Sequence, residues 1–237
     1  MLTLDRNNAV VAFGGMMDSR DVFCAEIIRD IDRAYAVSAN RIGWRFLASP
    51  AETLDGAEVA FIGLNPGGSH EPPDHPRFCV SCGSAYADER WGNFGPGQAP
   101  LQRQVLALFE MLGEKPDAVL AGNLVPFRSP NWSTLTDKET SLEFGRQLWT
   151  RVLRRAKPKL IVGMGEIVFK MLSQIVIASQ SERIPVGWDA VRATRARFDG
   201  GIVVGLPHLS RFPIVTRPSS SAPLRYLLTP FVENVRS

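Results

Sequence analysis

Along the chain, hydrophobic positions gather into four short, nearly unbroken runs: Glu58 to Leu64, Ala118 to Val125, Lys159 to Met164 and Gly201 to Leu206. Runs of this length, rich in Val, Ile and Leu, suit strands buried on both faces. Between them the spacing turns helical. Leu101, Val105, Leu108 and Leu112 recur at intervals of four, three and four, behind Pro100, and predict one apolar helix face over Leu101 to Leu112. Thr136 to Ala156 begins with Asp137 and Glu139 and ends with Arg151, Arg154 and Arg155, a charge order that complements the helix dipole. Further helices are expected over Glu166 to Ile177 and over Ser221 to Val235, the latter shortened by Pro223 and Pro230, and an N-terminal one over Asp18 to Val37. Strands alternating with helices predict a three-layer α/β/α sandwich around a central four-stranded parallel sheet.

Two stretches fit neither pattern. Pro66 to Pro100 is rich in glycine and proline, and an irregular segment of that length in a compact domain is usually functional or disordered. Ile184 to Gly200 is basic and reads as a loop or a small appended hairpin. In a sheet of this kind ligands bind beyond the carboxyl ends of the strands. The residues found there are Asn65 in GLNPGG, Asn123 in GNLVPFRSP and His208 in GLPHLSR. Read alone, Asn65 and Asn123 fit polar turn positions, and a lone histidine beside a strand fits a satisfied loop residue. An asparagine amide also carries a donor and an acceptor side by side, as a base edge requires, and a neutral imidazole can donate to an oxygen that becomes anionic.

Composition narrows the classes. At 237 residues the chain is long enough for one domain, with 45% hydrophobic and 22% charged residues, as in soluble globular proteins. No run approaches the length of a membrane span, the opening MLTLDRNNAV does not read as a signal peptide, and three cysteines make no disulfide framework, so a cytoplasmic protein is expected; a monomer that does not engage membranes is the accompanying expectation. Charge is uneven. From Arg183 onward eight arginines face three acids, which fits either a solvated face or a polyanion surface. Nucleotide-cofactor motifs are incomplete: GMGEIV lacks the third glycine of a dinucleotide fingerprint, and there is no GK[ST]. There is no GxSxG elbow either.

Taken in order, GLNPG, LAGNLVPFR, KPKLIVGMG and LPHLSRF resemble the landmarks of the uracil-DNA glycosylase superfamily, the first motif being similar to that of its mismatch-specific and single-strand-selective branches. The resemblance covers about Arg45 to Leu228 of what reads as one domain, 1–237, with an N-terminal helical extension over about 1–44. It implies that Asn65 positions the attacking water and that His208 stabilises the anion developing on the uracil O2. Asn123 would read the uracil edge, with Gly63, Leu64, Pro66 and Gly67 lining the pocket. An aromatic residue would stack on the flipped base, with Phe94 the first candidate and Phe78 and Trp91 its rivals. Ser210 and Arg211 would grip the DNA backbone, and Arg211 or Phe212 would help fill the gap left by the extruded nucleotide. With asparagine rather than aspartate at position 65, no strong general base is present there, and a slow enzyme is expected.

Two departures bear on this reading. Leu209 stands where the second motif normally has proline, which puts the rigidity of that loop in question. A long insertion, FCVSCGSAYADERWGNF, separates GLNPG from Phe94 and brings His70, His75, Cys79 and Cys82 within thirteen residues, a set that could supply four ligands to a structural zinc. Three cysteines cannot complete a four-cysteine iron–sulfur cluster. No cofactor is required by the expected reaction. The alternatives are a relative that binds nucleic acid without efficient cleavage and, further off, an enzyme acting on a free nucleoside.

Overall fold

The computed structural model describes residues 18–72 and 74–232. Helix α1 (Ser19–Val37) is capped by the Asp18 carboxylate, which accepts from the Arg20 backbone N–H. There follow β1 (Val59–Gly63), the single turn α2 (Ala85–Asp88), α3 (Pro100–Leu112), β2 (Leu120–Asn123) and α4 (Lys138–Ala156). The chain continues with β3 (Leu160–Met164), α5 (Glu166–Ile175), β4 (Glu182–Pro185), β5 (Arg192–Phe198), β6 (Gly201–Leu206) and α6 (Ser221–Leu228).

The sheet is six-stranded and mixed, in the order β2-β1-β3-β6-β5-β4, and this corrects the expected four parallel strands. The four apolar runs do form a parallel core. The basic stretch adds β4 and β5, which pair antiparallel with each other and, through β5, with β6. Their sequences, ERIP and RATRARF, bury little more than Ile184, Ala193 and Ala196, so no continuous apolar run announces them.

Burial alternates along the inner strands and assigns the helices to two layers. Val59, Phe61, Val162 and Val204 belong to one core with Val105, Leu108 and Phe109 of α3 and Leu224 and Leu227 of α6. Ala60, Ile62, Ile161 and Val203 belong to a second core with Ile27 and Ile31 of α1, Trp149 and Val152 of α4, and Val168 and Leu172 of α5. Each inner strand therefore faces apolar side chains on both sides, which is why its sequence shows no polar alternation. The N-terminal helix is part of this body: the Trp44 indole donates to Asp32, and Arg151 of α4 reaches Glu26 and Asp30.

Helix boundaries follow local chemistry. Helix α3 starts at Pro100, where the missing N–H costs nothing, and the Gln102 side chain accepts from the Ala99 backbone. It stops at Gly113, whose φ of 73° lies in the left-handed region. Helix α6 tolerates Pro223 in its first turn and ends before Pro230; the expected end at Val235 lies outside the described residues.

Candidate functional site

Because β2, β1, β3 and β6 run parallel, Asn123, Asn65 and His208 emerge along one edge of the sheet. Three strand spacings of about 4.8 Å separate β2 from β6, so this edge spans about 14 Å. Gly63 and Asn123 are register partners at its first step. A Cβ on Gly63 would stand 3.2 Å from Asn123 Oδ1 and 3.7 Å from the Met164 Cε, so glycine here leaves the asparagine amide room to lie over the strand.

The loops after β1 and β2 are sewn together. Leu124 and Val125 donate to the carbonyls of Gly63 and Leu64, Ser129 donates to that of Pro66, and the Arg128 guanidinium donates to Gly67 O at 2.5 Å. Within this frame the Asn65 Nδ2 donates to Ser129 Oγ at 2.9 Å and approaches the carbonyls of Pro66 and Phe127 at 3.2 and 3.4 Å. The Ser129 hydroxyl donates its own proton to Asn131 O, so it can only accept from Asn65. Asn65 Oδ1 is left without a partner among the described residues and is not buried: a fixed acceptor facing outward. The Asn123 amide likewise makes no hydrogen bond to a described residue, while its backbone is pinned by Phe46 O and by the Trp149 indole. Donor and acceptor of that side chain are both free.

His208 stands at the rim, exposed, with Nδ1 2.9 Å from Ser210 Oγ. Loss of hydration lowers its pKa from the usual 6.5, so the ring is neutral at physiological pH. The backbone question raised by Leu209 has a structural answer. Leu209 is fully buried in the core of the α3 and α6 face, and the His208 carbonyl accepts from the N–H groups of both Arg211 and Phe212. A buried side chain and a closed turn fix the loop without proline.

The aromatic candidates differ. Phe78 is half-buried against Phe46, with ring centroids 6.2 Å apart, and Trp91 packs on Tyr86 at 5.2 Å while its indole donates to Glu89. Phe94 is 46% exposed and is the free ring of the three. Ser210 and Arg211 are exposed and Phe212 half-buried beside His208.

The proposed zinc ligands do not converge. His70 and Cys82 are exposed, His75 faces Glu89 at 3.5 Å, and Cys79 packs into the α1 core, where burial pushes its thiol up. A thiol raised by burial is a poor source of thiolate. Among the described residues no group of three or more His, Cys, Asp or Glu side chains could hold a metal ion.

Behind the GLNPGG loop lies a feature that sequence reasoning missed. Arg45 and Arg128 are both buried, at 6% and 7% exposure, and the Nε of each lacks a partner among the described residues. One carboxylate, Glu89, answers Arg45 through two hydrogen bonds of 2.7 and 2.5 Å. Burial, together with the neighbouring Arg45 charge, lowers the Arg128 pKa, although guanidinium stays protonated. The Glu71 and Glu89 carboxylates both act on Arg128, so the two guanidiniums sit in a mixed-charge cluster behind the loop. The sequence signal was weak, because Arg45 and Glu89 lie 44 residues apart and Asn65 and Ser129 lie 64 apart. Comparison with protein-family models and with curated proteins returns no match for the chain.

Proposed function

We propose that the chain is a DNA base-excision glycosylase that hydrolyses the N-glycosidic bond of deoxyuridine or a related damaged base. The observation that carries the reading is the fixed, outward acceptor of Asn65 on the same sheet edge as the unpartnered Asn123 amide and the neutral His208. An enzyme acting on a base must extrude it from the stack and read it by hydrogen bonds to its edge. The Asn123 amide would donate to the uracil O4 and accept from its N3–H. Phe94 would stack on the ring.

Hydrolysis needs three things here. Asn65 Oδ1 accepts a hydrogen bond from a water and aims its lone pair at C1′. As the C1′–N1 bond breaks, its electron pair moves onto the uracil, and the His208 Nε2–H donates to the O2 that carries the charge. Ser210 supports this by donating to Nδ1, which leaves the ring proton on Nε2. The water oxygen bonds C1′ and releases its proton to solvent. Asparagine takes up no proton at neutral pH, so rate acceleration rests on orientation and on electrostatic stabilisation of the leaving group, and the enzyme is slow.

Release of uracil from deoxyuridine-containing oligonucleotides, single- and double-stranded, tests the reading; DNA binding without release would instead assign a non-catalytic binding role. The pH profile carries a sign. Protonation of Nδ1 turns the Ser210 hydroxyl from donor to acceptor and ends the neutral tautomer on which this reading rests, so activity is expected to fall as pH drops through the His208 pKa. Because that pKa is lowered, the expected rate is level across neutral pH, with its acid limb below 6.5. An acid limb at or above 6.5 would contradict the role given to His208.

A further inference from the structure

None of the described arginines from Arg183 onward has a carboxylate partner, a state shared elsewhere by Arg29, Arg33, Arg41, Arg90, Arg103, Arg128 and Arg154. Arg20, Arg45, Arg77, Arg146, Arg151 and Arg155 each pair with a carboxylate. Some of the arginines from Arg183 onward are held by other means. The Arg217 guanidinium lies 4.4 Å over the Trp188 ring and donates to Ser219, Arg211 lies 5.3 Å over Phe212, and Arg192 donates to the carbonyls of Asp189 and Val191. Their positions are fixed and their charge is not neutralised.

Topology places part of this group beside the candidate site. Strand β5 runs antiparallel to β6, and β4 antiparallel to β5, so the turn joining β4 to β5 returns to the edge that carries His208. Trp188 in that turn meets Phe212 edge to face, with centroids 6.0 Å apart. Gly187, at φ +71°, presses the turn onto the following loop: its carbonyl accepts from Ser219 Oγ, and a Cβ there would stand 2.1 Å from Ser219 O. The turn, the His208 loop and the Arg217 to Ser220 segment thus form one ridge, with Asp189 the only acid in the turn. Two further strand spacings lengthen the edge from about 14 to about 24 Å. At about 3.4 Å per phosphate along one strand, the added length covers about three nucleotides.

We propose that this ridge, through Arg192 and Arg217 with Trp188 as their support, is a second DNA-binding surface that grips backbone phosphates about three nucleotides to one side of the extruded base. The proposal rests on the glycosylase reading for its choice of partner. It extends that reading to a surface formed by the two antiparallel strands.

Fluorescence anisotropy of a labelled uracil-containing duplex, titrated with the full chain at several salt concentrations, tests it. The double variant Arg192→Gln/Arg217→Gln is expected to bind with a slope of log Kd against log salt shallower by about two, one for each phosphate that no longer meets an arginine. A control of equal charge change, Arg154→Gln/Lys157→Gln, removes exposed cations at the far end of α4, beside the opposite edge of the sheet, and is expected to keep the wild-type slope. Thermal melts establish that each variant is folded, and Arg192→Gln alone, expected to bind with a slope shallower by about one, stands in if the double variant is not. Equal slopes for ridge and control variants would overturn the ridge, whether or not uracil is released. A shallower ridge slope in a protein that releases no uracil would uphold the ridge and overturn the proposed activity. Binding to anionic lipid vesicles but not to the duplex would overturn the choice of DNA.

Discussion

Replacing His208 by alanine is expected to slow uracil release by about a hundredfold to a thousandfold, the effect typical of removing one donor aimed at a developing oxyanion. The fold should be unaffected, since the ring is exposed and its one side-chain partner is Ser210. Single-turnover rates at saturating DNA are the measurement, because they isolate the chemical step from binding. Asn65→Ala is expected to be comparably damaging for a different reason. It removes both the outward acceptor and the donor that ties the GLNPGG loop to Ser129. Asn65→Asp separates these two contributions: it keeps the acceptor but sets a carboxylate against the Pro66 and Phe127 carbonyls, 3.2 and 3.4 Å from the present nitrogen. Rates unchanged in both His208→Ala and Asn65→Ala would remove the site from the chemistry.

The largest expected effect on stability comes from Glu89→Ala. Arg45 and Glu89 side chains are 7% and 12% exposed, and deleting the carboxylate leaves a guanidinium buried without its counter-ion. Breaking a buried pair from one side costs about 3–5 kcal/mol, a large share of the roughly 5–15 kcal/mol that holds a domain folded. The Trp91 indole loses its acceptor as well. Burial by itself would raise the Glu89 carboxyl, but the Arg45 hydrogen bonds and charge outweigh it and hold the pKa below the usual 4.5. The pair therefore stabilises the fold fully above pH 4.5, and its contribution fades as pH falls through the lowered value. Urea unfolding of wild type and variant should show a wide gap near pH 7 that narrows in acid. A constant gap would mean that Glu89 acts by packing alone. Because Arg45 also donates its backbone N–H to Pro126 O, in the loop after β2 that is hydrogen-bonded to the Asn65 loop, the variant should loosen those loops and lower the excision rate of the fraction still folded.

What could be read from the chain follows from how each element is buried. The four parallel strands lie between two helical layers, so selection for apolar character acts on every residue, and the runs stand out. Strand β5 lies outside the parallel set, and RATRARF needs only alanines to meet the sheet; its arginines look like a loop. The single-turn helix α2 was hidden in the same way within the irregular stretch, although Ala85 and Tyr86 are buried. That Asn65, Asn123 and His208 share one edge of the sheet was legible because the rule about strand ends needs only strand positions. Ser129 and Arg128 were not, since their roles depend on two loops meeting across adjacent strands, and no local spacing encodes that. His70, His75, Cys79 and Cys82 are close in sequence, yet among the described residues they form no group of three that could hold a metal ion: Cys79 turns into the core while His70 and Cys82 face solvent.

The outer strand of the basic hairpin also bears on edge-to-edge pairing between copies of the chain. Strand β4 is one rim of the sheet, and an open rim of unpaired backbone groups is a template on which another chain can extend it. ERIP is a poor template: it is four residues long, exposes Glu182 and Arg183, and ends in a proline with no N–H to offer. At the other rim, the segment before β1 lies along β2, with Ala48 donating to Ala121 O and Leu47 bridging Gly122. Capped on one side and made unattractive on the other, the sheet has nowhere to grow, which favours survival of the folded chain at high concentration over fibrous association.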